Sequence, residues 1–261
     1  MGFRSCVRRR VRVLCPLVLV LVVGVALAPV GAAGAVSGDP EIERLEGPDR
    51  YATSLAVARR FAREAGGALD SAVLVSGTSW PDAVAAAGLA GSLDAPVLLA
   101  GADGLSADAL GFLADARVSS VVAVATGAAG AAALLEVLGS LPSGVTDTEL
   151  VSGSDASVMS AEVAERIGDP GVMPGHGRTV IVANSTVFAD ALVAGPFAAR
   201  GAHPVLLTPR GALHSDVAAY ITARNVDHVV IMGGTAAISA GVERGVSDPL
   251  CKGVGLRVSC R

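Results

Sequence analysis

The sequence predicts an α/β protein made of two tandem units, each a parallel sheet with helices on both faces. Three observations carry this. The stretch "SAVLVSGTSWPDAVAAAGLAGSLDAPVLLA" from Ser71 returns in outline as "TVIVANSTVFADALVAGPFAARGAHPVLLTP" from Thr179, at an offset of 108. At that offset Trp80 meets Phe188, Asp82 meets Asp190, and Pro96-Val97-Leu98-Leu99 meets Pro204-Val205-Leu206-Leu207. Short Val- and Leu-rich runs alternate with longer helical patterns, the signature of right-handed crossovers in a parallel sheet. The chain is also 52% apolar but only 3% aromatic, and a core of small aliphatic side chains suits helices packed closely on buried parallel strands.

The elements follow in order. Residues 1–35 read as a secretory signal peptide: Arg4, Arg8, Arg9, Arg10 and Arg12 precede an apolar run from Val13 to Val30, and Ala33-Gly34-Ala35 supplies a small-residue cleavage site. A retained membrane anchor is the alternative, because the apolar run is near spanning length. Five basic residues leave with this segment, so the remaining chain carries 15 bases against 24 acids, a net charge of −9. Such a field disfavours nonspecific nucleic-acid binding; an anionic partner needs a local cluster of bases.

The first unit, 44–140, opens with a helix after Gly47-Pro48-Asp49. Tyr51, Leu55, Ala58 and Ala62 share one face, with Arg59, Arg60, Arg63 and Glu64 opposite. A buried strand follows at Ala72–Val75, then a helix from Pro81, where proline suits the first turn. A strand at Val97–Leu99, a helix at Ala107–Ala116, a strand at Val121–Val124 and a closing helix near Ala131–Leu138 complete the unit. A joint at Leu141–Thr148 leads to the second unit, 149–246, whose opening "LVSGSDASVMSAEVAERIG" copies the first at an offset of 106. "GVERGVSDPLCKG" from Gly241 looks like the start of a third unit that breaks off in a tail, 247–261. There Cys251 and Cys260 are the only cysteines outside the leader, and in an oxidising compartment they are expected to pair as one small disulfide loop.

The candidate functional residues sit where strands hand over to helices, the crevice in which open α/β sheets bind ligands. Asp49 and Asp155 are placed to cap their helices. Arg50 has no electrostatic reason to stand at a helix N-terminus, so it pairs with a carboxylate or reaches a ligand. Tyr51 packs on the buried face or joins Arg50 at the site. Trp80 and Phe188 either close the core or offer a stacking face to a sugar ring. Beside them, Asp82 and Asp190 cap helices or accept hydroxyls, and Ser76 ends the preceding strand. Gly233-Gly234-Thr235 follows the third strand of the second unit and reads as opening a helix whose amides could hold an anion.

No G-x-G-x-x-G, Walker A, H-E-x-x-H or G-x-S-x-G motif occurs, and the four histidines show no metal-ligand spacing. No cofactor or metal is therefore expected. "RLEGPDRYATSLAVA" from Arg44, "VLVSGTSWPDAVAAAGLAGSLDAPVLL" from Val73 and "VVIMGGTAAIS" from Val229 together resemble the cell wall-binding repeat 2 family. That resemblance covers Arg44–Val246. It implies Rossmann-like or Toprim-like units and noncovalent attachment to an anionic cell-wall polysaccharide or teichoic-type polymer. It also implies no catalysis by the module itself, and three repeats about a pseudo-threefold axis, often beside an effector domain. This chain has two units, and the second lacks the Arg-Tyr pair. Binding is therefore expected to rest on Asp49, Arg50, Tyr51, Trp80 and Asp82. Self-association is expected through apolar surface left for a third unit, with the Pro-Val-Leu-Leu segments as candidates. A wall hydrolase and a degenerate scaffold are the competing readings.

Overall fold

Runs of Val, Leu and Ala become buried strands because alternate side chains face two different cores. The computed structural model describes residues 42–247. In the first unit the elements are α1 (Arg50–Glu64), β1 (Ser71–Ser76), α2 (Trp80–Ser92), β2 (Val97–Ala100), α3 (Ala107–Asp115), β3 (Ser120–Thr126) and α4 (Gly127–Gly139). Next come β4 (Asp147–Gly153), α5 (Ala156–Ile167), β5 (Val172–Met173), β6 (Gly177–Asn184), α6 (Phe188–Leu192) and α7 (Ala194–Gly201). The chain continues with β7 (Val205–Thr208), α8 (Ser215–Ala223), β8 (His228–Ile231) and α9 (Ala240–Ser247). None of these helices is long and apolar enough to cross a membrane.

The strands form two parallel sheets, ordered β2-β1-β3-β4 and β7-β6-β8; the short β5 pairs antiparallel with the first residues of β6. Along β1, Ala72 and Leu74 face a core shared with α1, α3 and α4. Val73 and Val75 face a second core, which also takes Ile181 and Ala183 of β6 and Val205 and Leu207 of β7. The period-2 alternation of a strand thus assigns each side chain to one layer. The second core joins the two units, and α2 lies within it, packed against α5, α7 and β7. The Ala- and Gly-rich composition of α2 follows from that position. A Cβ added at Gly88 would run into the His203 carbonyl, and one at Gly91 into the Ala199 backbone.

Four features differ from the sequence-based expectation. Residues 147–153, assigned partly to a joint and partly to the second unit, form β4 and pair with β3 in register from Ser120↔Asp147 to Thr126↔Gly153. The second unit therefore begins by completing the sheet of the first. The counterpart of α2 is split into α6 and α7 at Val193, just ahead of Pro196, which has no N–H for an uninterrupted helix. Gly233-Gly234-Thr235 does not open a helix: Gly233 adopts φ +99 and helical structure resumes only at Ala240. "GVERGVS" belongs to α9, the closing helix of the second unit, rather than to the start of a third. Cys251 and Cys260 lie outside the described residues, as does the leader 1–35.

The apolar surface expected for a missing third unit is present but elsewhere. Pro96 and Leu98 are buried, and Val205, Leu206 and Leu207 are 0–1% exposed in the cores. Open instead are Val57 at 49%, Leu192 at 58% and Val193 at 66%. Their counterparts in the other unit, Val163, Val84 and Ala85, are buried at 1%, 3% and 0%. Each open residue occupies a position that the neighbouring unit covers in the other copy.

A repeated serine closes the outer strands. Ser54 accepts the Leu99 N–H at 3.3 Å and its counterpart Ser160 accepts the Leu207 N–H at 2.8 Å. Each hydroxyl satisfies an amide that β2 or β7 has no neighbouring strand to receive.

The close approach at α2 makes a two-variant test. Gly91→Ala gains helix propensity yet must displace the Ala199 backbone, whereas Gly111→Ala, at an exposed position of α3, meets nothing within 4 Å. Thermal melting is expected to show Gly111→Ala more stable by about 0.5–1 kcal/mol and Gly91→Ala less stable than the parent.

Candidate functional site

The carboxyl ends of β1, β2, β3 and β4 open on one rim, and the candidate residues of the first unit stand there. Asp49 is the N-cap of α1: its carboxylate accepts the Ala52 N–H at 2.8 Å, with extended backbone at φ −148. Asp155 caps α5 the same way, accepting from Ser157 N at 2.8 Å and Val158 N at 3.1 Å. Capping accounts for the aspartate in both copies. Arg50, the next residue, is exposed and donates from Nη1 to the Gly77 carbonyl at 2.9 Å. Its partner is thus the turn between β1 and α2, not a carboxylate. Tyr51 is half-buried with its ring against Gly77, where a Cβ would meet the ring edge, and near Gly101 across the mouth. A glycine at 77 is what lets the ring approach the turn.

Ser76 organises the same turn. Its Oγ lies 2.9 Å from Thr78 Oγ1 and accepts the Thr78 N–H at 3.3 Å. Its counterpart in the second unit is Asn184, which sequence reasoning passed over. Asn184 is 1% exposed; its Oδ1 accepts from Thr186 N at 2.7 Å and Val187 N at 3.1 Å, and its Nδ2 donates to the Ala237 carbonyl at 2.6 Å. The available signal was a polar residue ending an apolar strand at the same repeat position in both units.

Asp82 turns inward. It is 2% exposed and accepts the Thr126 hydroxyl at 2.5 Å, tying the first turn of α2 to the end of β3. A carboxylate so placed has no free face for a surface ligand. Burial pushes its pKa above the ordinary 3.8, with the Thr126 and Ser79 hydrogen bonds opposing the shift. Asp190 occupies the matching place beside Gly233, where an added Cβ would strike its carboxylate. Trp80 and Phe188 do not stand in separate crevices: their rings meet across the two units, 6.4 Å apart and inclined by 56°. Trp80 is half-buried against the shared core, while Phe188 is 57% exposed.

The second unit also supplies a cation that the sequence reading missed. Arg210, just past β7, is exposed and donates from Nε to the Ala236 carbonyl at 2.7 Å, beside the Gly233-Gly234-Thr235 turn. Each rim therefore holds one arginine on a backbone carbonyl, with the rest of the guanidinium facing outward. No group of three or more His, Cys, Asp or Glu side chains among the described residues is arranged to hold a metal ion.

Comparison with known proteins gives four matches. The cell wall binding domain 2 (CWB2) profile matches residues 44–135 and 151–243. The N-acetylmuramoyl-L-alanine amidase LytC of Bacillus subtilis (strain 168) is 27% identical over 240 residues, which is 92% of this chain and 44% of the amidase. Cwp6 from Clostridium difficile superposes with a TM-score of 0.67 at 20% identity, covering 83% of this chain and 34% of that one. Cwp8 from the same organism superposes at 0.63 and 24% identity, covering 77% and 32%. The chain thus spans less than half the length of each of these relatives.

The raised pKa of Asp82 sets the sign of a pH effect. The folded state holds its proton to higher pH than the unfolded state, so this residue's contribution to stability is full below the ordinary 3.8 and is lost as pH rises through the folded value. Asp82→Asn removes the titration and keeps an oxygen for Thr126. Stability curves from pH 4 to neutrality are expected to show the parent losing ground to the variant as pH rises; parallel curves would contradict it.

Proposed function

We propose that this chain, which belongs to the cell wall binding domain 2 family over residues 44–135 and 151–243, is a noncatalytic module that holds an anionic wall polymer at the rims of its two sheets. Wall binding is the family's property; the noncatalytic character and the anionic ligand are our inference. The match over both units is the observation that carries it. The leader at 1–35 would export the protein to the wall. The net charge of −9 outside that leader rules out attraction by the overall field, so binding has to be local.

Arg50 meets that need. The Asp49 cap and the Tyr51 ring hold the start of α1 against Gly77, and the bond to the Gly77 carbonyl uses only part of the guanidinium. The remaining donors form a planar fork suited to phosphate or carboxylate oxygens. Arg210 offers a second fork on the other rim. Asp82 serves this site from beneath by fixing α2, and Phe188 offers an exposed ring at the junction.

Titration of purified sacculi at fixed ionic strength tests the reading. Arg50→Ala is expected to weaken binding by about ten- to a hundredfold, the loss of one charge-assisted contact of roughly 1.5–3 kcal/mol. Asp190→Ala is expected to bind nearly as the parent does, and stripping the anionic polymer from the sacculi should abolish binding. Unchanged affinity of Arg50→Ala would remove Arg50 from the site.

Self-association belongs to the same proposal, through the open faces at Val57 and at Leu192–Val193. Light scattering at tens of micromolar is expected to show oligomers for the parent and a lower mass for Val193→Glu. A monomeric parent would refute it.

A further inference from the structure

The junction between the two units holds one titratable group that the rims do not use. His203 lies between α7 and β7, is 4% exposed, and its Nδ1 has no hydrogen-bond partner. Its carbonyl is the group that approaches Gly88 of α2 so closely that a side chain there would strike it. The imidazole fills a slot opened by two glycines: a Cβ at Gly201 would run into Nε2, and one at Gly171 would crowd Nδ1. The Phe197 ring lies 5.2 Å from the imidazole, inclined by 35°.

The repeat shows that the fold does not need an imidazole at this position. At the offset of 108, His203 corresponds to Ala95 and Gly201 to Leu93. The local backbone is the same in both units: the Ala95 N–H donates to the Ala90 carbonyl at 2.9 Å, and the His203 N–H to the Ala198 carbonyl at 3.0 Å. The first unit thus places a leucine and an alanine where the second places a glycine and a histidine. Residues 44–140 contain no histidine at all, so any effect of imidazole protonation falls on the second unit and its junction.

A charge on this ring finds no counter-charge among the described residues around it. On β8, His228 is the titratable neighbour; its Nδ1 lies 3.4 Å from Thr179 Oγ1, and its ring stacks on His176 at 4.4 Å. Beside it, Asp227 accepts the Arg178 N–H at 2.9 Å. Glu165 of α5 and Asp169 just beyond that helix both face Arg224. Along α2, Asp82 is tied to Thr126, and Asp94 just past the helix is exposed. Arg200, in the last turn of α7, is a like charge. Burial pushes the pKa of His203 below the ordinary 6.5; the backbone at Gly171 and Thr179 opposes the shift, and His228 adds to it. Taking an unmatched charge out of water costs far more than burying the neutral ring.

We propose that His203 makes the junction an acid-sensitive clasp: the neutral ring sits in its slot and keeps its carbonyl against Gly88, and protonation drives the ring toward water and loosens α2 from α5, α7 and β7. The unfolded chain takes up a proton at this position at higher pH than the folded chain does. The contribution of His203 to stability is therefore full above the ordinary 6.5 and is lost as pH falls from there toward the folded value. This is opposite in sign to the effect of Asp82, whose contribution is lost as pH rises.

Trp80 reads the junction directly, because it is the only tryptophan of the chain and its ring meets Phe188 across the two units. Acidifying the full chain from pH 8 to 5 is expected to change the Trp80 emission below the ordinary 6.5 and to lower the urea midpoint over the same range. His203→Leu, which restores to this space the side chain type that Leu93 supplies in the first unit, is expected to flatten both responses. Relative to that variant, the unfolding equilibrium constant of the parent should rise by up to about tenfold per pH unit within the range. Proton resonances of the His203 ring give a check that needs no variant: the ring should stay neutral until the Trp80 signal moves. A ring that titrates at the ordinary 6.5 with no change in Trp80 emission would overturn the proposal. Parallel curves for the parent and His203→Leu from pH 8 to 5 would do the same. So would an acid response that survives in His203→Leu and vanishes in His228→Gln, since the switch would then lie in the His176–His228 stack.

Discussion

The close contact of α2 with the second unit is the constraint on which the rest depends. This helix is buried on one side by β1 and β3 and on the other by α5, α7 and β7. Gly88 and Gly91 let the backbones of His203 and Ala199 approach to distances that any side chain would prevent. Close approach fills the shared core largely with Ala and Val, and dispersion falls off so steeply that a small gap would forfeit much of the contact. The scarcity of aromatic residues is then a geometric requirement. Two sheets this near each other leave room for small side chains, and the Trp80–Phe188 pair sits where the units meet.

That junction also fixes what is open. Because the two units are copies related by a repeat, each surface used at the junction has an unused twin. Val163 is buried where Val57 is exposed, and Val84 and Ala85 are buried where Leu192 and Val193 are exposed. The edge of β3 that β4 covers, and the edge of β8 to which no described residue adds a strand, are a further pair of this kind. Exposed apolar residues and a free strand edge are ordinarily costly in a soluble protein. Here they lie at positions that the other copy buries against its neighbour among the described residues.

The rims show one loop position serving the same structural end in both units. Ser76 and Asn184 both gather the turn that follows a central strand, and Asp82 and Asp190 both sit beneath the next turn. The two buried members, Asp82 and Asn184, are satisfied by neighbours. Exposed at the rims are two cations held by backbone: Arg50 on Gly77 and Arg210 on Ala236. Arginine can do both, since its fork carries more donors than one carbonyl can accept.

The sequence by itself determined the repeat, the alternation of strands and helices, the buried strands and the two aspartate caps. These follow from local rules: a period of two for strands, a helical face for α1, and a carboxylate at each N-cap. It also pointed to the family through motifs spread along both units. Only the tertiary structure decided which partner each element found. The stretch from Asp147 to Gly153 carries no local mark of belonging to the sheet behind it, because strand pairing depends on which edge is vacant, not on the strand's own pattern. Asp82 reads as a rim residue in sequence but points inward, because the Thr126 hydroxyl that donates to it lies 44 positions away. Arg210 was invisible for the same reason: its role comes from lying next to Ala236, a proximity that chain order does not contain.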